Sequence, residues 1–200
     1  MQTMTLFSDY ICPFCFIGKR RVERLVEELP IEPFWKGFEI HPEVPPGGIP
    51  ITRFMPEMIS NLEVRVRMLA DEIGLEIRMP AKLSNSRMAL LGGEFAREAD
   101  RFHEYHEAVF SAYFQQGKDI GDAEILVEIV DGIGIDGSAF REAIVNEKHA
   151  GTLAASLREA HSLGLTAVPS FVFADGRVIV GARPYDELKA AAEKSLQALR

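Results

Sequence analysis

Ser8-Asp9-Tyr10-Ile11-Cys12-Pro13-Phe14-Cys15-Phe16-Ile17-Gly18-Lys19 is the stretch that decides the fold. Before it, Met4 to Ser8 is a short apolar run that reads as a strand. After Pro13 the period changes: Ile17, Val22, Leu25, Val26 and Leu29 fall close to one helical face, and Pro30 closes the helix. Cys12 therefore stands at a helix N-terminus, with Cys15 one turn later on the same side. Pro13 suits the first helical turn, where its missing N–H would have had no intrahelical partner.

This placement carries chemistry. The thiolate is the attacking form of a cysteine, and the free N–H groups and dipole of a helix N-terminus favour it by roughly 0.3–2 kcal/mol. Two sulfurs one turn apart can close a small-ring disulfide and reopen it, with Cys12 attacking and Cys15 resolving. The chain has two cysteines in all, so a stapling framework is excluded. A structural zinc would need four ligands; no second cysteine pair exists, and His103 and His106 read as ordinary surface or half-buried histidines of an amphipathic helix.

Working outward, Ile31 to Ile40 reads as a second strand, with Phe34, Lys36, Phe38 and Ile40 on one side. His41 to Pro50 holds four prolines and two glycines and reads as a loop. Helical patterns then run for about a hundred residues. One stripe is Ile59, Leu62, Val66, Leu69 and Ile73, ended near Gly74. Ser84 or Asn85 caps the next helix, which carries Met88, Ala89 and Leu91. A further stripe is Phe102, Tyr105, His106, Val109, Phe110 and Tyr113. Asp122 and Asp136 read as N-caps, and a last helix of the block covers roughly 149–163. From Thr166 the character changes again. Ser170 to Ala174 and Arg177 to Val180 are strands joined by a two-residue Asp175-Gly176 turn. Pro184 opens a final helix with Leu188, Ala191, Ala192, Ser195 and Leu199 along it.

The expected fold class is α/β, a discontinuous sheet-and-helix domain (1–50 and 164–200) interrupted by a large all-helical insertion (51–163). Pro169, directly before a central-looking strand, belongs at the strand's start or in a special turn, because proline cannot donate to a ladder. The hydrophobic fraction of 47% and charged fraction of 26% are those of a globular chain. A net charge of -8 disfavours nucleic acid as a partner, and Lys19, Arg20 and Arg21 read as a solvated helix face. No run of 18 apolar residues points to a membrane. Met1 to Phe7 reads as a strand and not as a secretory leader, so the expected location is cytoplasmic.

The quoted stretch, together with Val168-Pro169-Ser170-Phe171, resembles the DsbA-like thioredoxin superfamily, and within it the FrnE-type dithiol–disulfide oxidoreductases and isomerases. Asn85-Ser86-Arg87-Met88-Ala89, Phe110 to Phe114 and Gly117-Lys118-Asp119-Ile120 extend the similarity over most of the chain. The resemblance implies a thioredoxin-like fold, and a cis proline at Pro169 beside the redox pair. It further implies substrate binding by Val168 and Pro169, with the Val168 backbone pairing to an extended substrate; Pro13 and Phe14, within the motif itself, are further candidate substrate contacts. No cofactor beyond the redox-active disulfide is implied. The partners are protein or peptide thiols and disulfides, and glutathione is a candidate reductant or substrate. Two departures stand out: Phe14 replaces a frequent tryptophan or histidine, and Ser170 a frequent threonine. Two rival readings accompany this one. A glutathione-dependent isomerase or transferase, like 2-hydroxychromene-2-carboxylate isomerase and the kappa-class transferases, shares the architecture but usually carries serine in place of Cys12. A non-catalytic peptide-binding or chaperone module would use the same surface without the thiols.

Overall fold

The structure, a computed structural model, describes residues 1–54 and 59–198. Strand β1 (Gln2–Ser8) leads into α1 (Pro13–Glu28), and β2 (Ile31–Gly37) returns parallel to β1. After a loop come β3 (Ile49–Pro50), α2 (Ile51–Phe54), α3 (Ile59–Asp71) and β4 (Lys82–Leu83). The helices α4 (Arg87–Glu98), α5 (Phe102–Phe114), α6 (Ala123–Gly132), α7 (Gly137–Val145) and α8 (Ala150–Ser162) follow. The chain then closes with β5 (Ser170–Val172), β6 (Val178–Val180) and α9 (Tyr185–Ala198). The main sheet has the order β2-β1-β5-β6, with β5 and β6 antiparallel to their neighbours. This is a thioredoxin-like sheet whose two halves are separated by a helical insertion; among the described residues, the short β3–β4 ribbon departs from the helical character expected there.

Alternation along β1 builds a core on each side of the sheet. Met4 and Leu6, with Ile31 and Trp35 of β2, pack on Val22 and Leu25 of α1 and on Leu188 and Ala192 of α9. Phe7 and Phe38 join the larger core against the insertion. The expected strand to Ile40 stops at Gly37, although Phe38 N still donates to Ser8 O at 2.9 Å. On that strand Trp35 is the buried face, while Phe34 is exposed.

Several local expectations hold. Asp122 and Asp136 cap α6 and α7, accepting from the N–H groups of Glu124 and Ala139. The start of α4 falls later than expected: its N-cap residue is Ser86, not Ser84 or Asn85, although Asn85 Oδ1 accepts from Arg87 N at 3.0 Å. Val66 is buried and Leu62, Leu69 and Ile73 are packed against the core, as the stripe predicts. Leu188, Ala191, Ala192 and Ser195 are buried along α9, and Leu199 lies outside the described residues.

Two further expectations are corrected. The hairpin turn is a three-residue loop, Ala174-Asp175-Gly176, not a two-residue one. Gly176 N donates to Phe173 O at 2.9 Å, and Gly176 takes φ +83°, which gives the chain the extra residue of a bulged turn. The basic trio is not a solvated face. Lys19 is buried and ion-paired with Glu23 and Glu107, and Arg20 reaches Glu107 at 2.6 Å. Arg21 is buried too, donating to the carbonyls of Ala182 and Arg183 and to Glu72 at 3.2 Å. Helical periodicity gave these residues a face but not the acids and carbonyls that distant segments bring to it.

The insertion is packed too closely to admit even a methyl group at some points. A Cβ placed on Gly92 of α4 would lie 2.7 Å from Phe140 Cζ and would also strike the Tyr105 hydroxyl, which donates to Ala89 O at 2.9 Å. Gly92→Ala is expected to destabilise the protein by about 1–3 kcal/mol through overpacking. A lowered urea midpoint at unchanged slope would register it; an unchanged midpoint would count against this close packing.

Candidate active site

Cys12 is the N-cap residue of α1, in extended conformation, and Pro13 is its first helical residue. The N–H groups of Cys15 and Phe16 both reach back to Cys12 O, at 3.0 and 3.4 Å, which fixes the first turn. Both cysteines are free thiols. Cys12 is 5% exposed and lies at the floor of a cleft, whereas Cys15 is fully buried beneath it. Phe16 is core, stacked 5.2 Å from Phe110.

The distant proline arrives where the resemblance implies. The Val168–Pro169 peptide is cis, and the Cys12 thiol donates to Val168 O at 3.6 Å. The loop is tied from behind by Ser170 Oγ donating to Ala167 O at 2.6 Å and Gly181 N donating to Pro169 O at 2.7 Å. From the front, Gly18 admits it: a Cβ there would stand 3.2 Å from Pro169 Cγ and 3.3 Å from Phe171 Cζ.

All six site residues singled out from sequence are therefore adjacent. Cys12, Pro13, Phe14 and Val168 line one cleft of about 320 Å3; buried Cys15 adjoins Cys12, and Pro169 follows Val168 and packs on Gly18. The far wall was not foreseen. Ile51 and Phe54 of α2, Leu62 of α3, and Met79 and Leu83 supply it, with Ile40 and His41 from the loop after β2. The His41 ring packs edge-on to Phe54 at 4.8 Å, and Arg65 lies over the Phe14 ring at 5.1 Å. Sequence reading named the α3 stripe as core, but a stripe does not announce that its end opens on a thiol.

Two ionisable groups behind the motif are displaced from their usual range. Burial pushes the Cys15 thiol up, and the adjoining Cys12 sulfur adds to this; the Asp9 backbone and the Ser8 hydroxyl act in the opposite sense. Asp9, wholly buried, is raised from 3.8 to about 6, chiefly by loss of water and slightly by Glu39. Ile40 N and Ile11 N, which donate to its two oxygens at 2.8 and 3.3 Å, and the Ser86 hydroxyl draw it back down. Asp9 thereby ties the loop bearing Cys12 to the chain leaving β2.

The arrangement is that of a thioredoxin-like protein with a dithiol at a helix N-terminus facing a cis proline. A family model, DSBA-like thioredoxin domain, matches residues 3–193. An uncharacterized protein of Bacillus subtilis, YwbO, is 32% identical over 189 residues, 93% of each chain. Among solved structures, a probable DsbA oxidoreductase from Streptomyces coelicolor superposes with a TM-score of 0.89 at 25% identity, over 98% of this chain and 91% of its own. A 2-hydroxychromene-2-carboxylate isomerase superposes with a TM-score of 0.81 at 17% identity, over 98% and 97%, a likeness of fold. The chain belongs to the DsbA-like thioredoxin family, whose members are oxidoreductases or isomerases.

Asp9 generates a pH prediction. Its folded-state value lies above the unfolded one, so its contribution to stability is fully present below about pH 3.8 and is lost as pH rises through about 6. The loss is of the order of 3 kcal/mol for a rise from 3.8 to about 6. Urea midpoints between pH 4.5 and 7.5 should fall more steeply with pH for the wild type than for Asp9→Asn, which has no proton to lose. Parallel profiles would contradict the assignment.

Proposed function

We propose that the protein exchanges disulfides with protein or peptide substrates, with Cys12 as nucleophile and Cys15 as resolving thiol. The observation that carries this reading is the Cys12 thiol on Val168 O at 3.6 Å, at the floor of an apolar cleft and above a buried Cys15. In the reductive direction the Cys12 thiolate attacks a substrate disulfide. One substrate sulfur leaves as thiolate and takes a proton, and the other stays bonded to Cys12. Cys15 then loses its proton and attacks Cys12 Sγ. The second substrate thiolate departs, leaving the Cys12–Cys15 disulfide and a reduced substrate. The oxidative direction is the same path reversed, and the compartment's redox poise sets which one runs.

Val168 offers backbone to an extended substrate segment, and Pro13 and Phe14 border the same opening. The cleft walls are largely aliphatic and aromatic, which suits the side chains that flank a cysteine in a polypeptide.

Cys12→Ser should abolish turnover of a disulfide-containing peptide. Cys15→Ser should accumulate a mixed disulfide at Cys12, visible as an adduct by intact-protein mass spectrometry. Full turnover by Cys15→Ser in the presence of glutathione would favour the glutathione-dependent isomerase or transferase reading instead, because that chemistry needs no second thiol. Suppression of aggregation by the doubly substituted protein, without turnover by the wild type, would favour the chaperone reading.

A further inference from the structure

The redox cleft is walled mainly by apolar side chains, and among the described residues no carboxylate lines it. Besides Cys12, the ionisable side chain in that lining is His41, whose Nδ1 already faces Glu43 Oε1 at 2.9 Å. A cation reaches the opening from α3. Arg65 is exposed, and its guanidinium carbon lies 5.1 Å from the centre of the Phe14 ring, two residues past the nucleophile.

Arg65 differs from the cations elsewhere on the motif's surroundings. The four basic side chains of α1, Lys19, Arg20, Arg21 and Arg24, are all ion-paired. Arg65 has no ion-pair partner among the described residues, and its own helix offers none: the positions three and four away hold Asn61, Leu62, Met68 and Leu69. Arg67 on the same helix has Glu63 and Asp71 four positions to either side. Arg65 is therefore an uncompensated positive charge in a chain of net charge -8, held against an aromatic face that borders the cleft.

The helix also sets the size of a partner for it. Leu62, Arg65 and Met68 succeed one another at spacing three and form one ridge on the helix surface. Leu62 lines the cleft, Arg65 lies over Phe14, and Met68 is 63% exposed, with Val64 beside it at 60%. From the cleft outward the ridge thus offers an apolar contact, a cation and a second apolar contact. Ridge neighbours stand about 5–6 Å apart, and an extended chain advances about 3.3–3.6 Å per residue. A substrate that spans the ridge needs about three residues on one side of its cysteine, which a polypeptide has and glutathione does not.

We infer that Arg65 is a specificity-determining residue, selecting polypeptide disulfides that carry a carboxylate side chain within about three residues of the reacting cysteine. The inference rests on the redox-pair reading above and names its substrate class. Two effects act on such a substrate. The net negative charge of the chain repels it, but that repulsion comes from charges spread over the whole surface and is screened beyond about 8–10 Å in physiological salt. Arg65 acts at contact distance beside the cleft, where screening is least, so the local attraction wins.

The test uses the reduced full-length protein in excess over disulfide peptides that differ only in Glu, Gln or Lys at one of the three positions on either side of the reacting cysteine, with glutathione disulfide as a further substrate. The readout is the ratio of bimolecular rate constants for the Glu and Lys peptides, in which any common effect on the thiol cancels. The wild type is expected to favour Glu over Lys by about fivefold at the best position, with Gln between them. Arg65→Ala should bring that ratio to about one or below, and Arg65→Glu should invert it. At about 1 M salt the wild-type preference should shrink to less than about twofold. Because Arg65 is exposed, neither substitution disturbs the core. A wild type that favours Lys, or a ratio that Arg65→Glu leaves unmoved, would overturn the inference. Slowing of glutathione disulfide by Arg65→Glu with the peptide ratio unmoved would overturn it too, by assigning the cation to the carboxylates of glutathione. A wild type that reacts with none of these disulfides would instead overturn the redox-pair reading itself, and the inference with it.

Discussion

The active end of the molecule depends on one approach: the turn through Val168 and Pro169 coming down on the first two turns of α1. Cys12 meets it through the 3.6 Å contact with Val168 O, and Gly18 meets it by having no side chain. A glycine inside a helix costs about 1 kcal/mol relative to alanine. Here that cost lets the Pro169 ring and the Phe171 edge settle against the helix. The strand pairing of Leu6 with Phe171 and of Phe7 with Ser170 then holds the turn in register with the loop that bears the thiols. Because the sheet places β1 between β2 and β5, both neighbours of that loop are fixed by the same strand.

Charge is managed by burial as much as by exposure. The chain carries a net charge of -8, yet the helix that begins at the dithiol buries two of its cations, Lys19 and Arg21. Buried cations are tolerable only where partners replace water. Glu23 and Glu107 serve Lys19, and backbone carbonyls with Glu72 serve Arg21. These links run from α1 to α5, to the residue just past α3 and to the segment before α9, so the helix is anchored to both the insertion and the C-terminal portion. Asp9 makes the matching connection on the anionic side, holding two backbone N–H groups at the cost of its own hydration.

Much of this was legible in the sequence because the signals are local. A cysteine pair three apart at a strand-to-helix junction, a proline before a strand, and aspartates before apolar runs each declare a backbone state within a few residues. The Asp-Gly hairpin was legible in existence but not in length, since a glycine at positive φ serves a bulged three-residue loop as readily as a two-residue one. What stayed hidden was the meeting of segments. Ile51 and Phe54 sit just past a proline-rich loop and give no sign that they wall a thiol cleft. His106 lies on a helix whose apolar stripe was recognised, but its depth is set by Trp35 and Tyr10, brought to it from the N-terminal part of the chain.

The separation of Cys12 from Val168, 156 positions, has a consequence for biogenesis. At ribosomal speeds of roughly 5–20 residues per second, the reactive pair precedes its covering turn by about 8–30 s. Throughout that interval β5 is missing from the edge of β1, and no carbonyl stands ready to receive the Cys12 thiol. A nascent chain of this architecture meets the cell's low-molecular-weight thiols and oxidants before its own specificity exists.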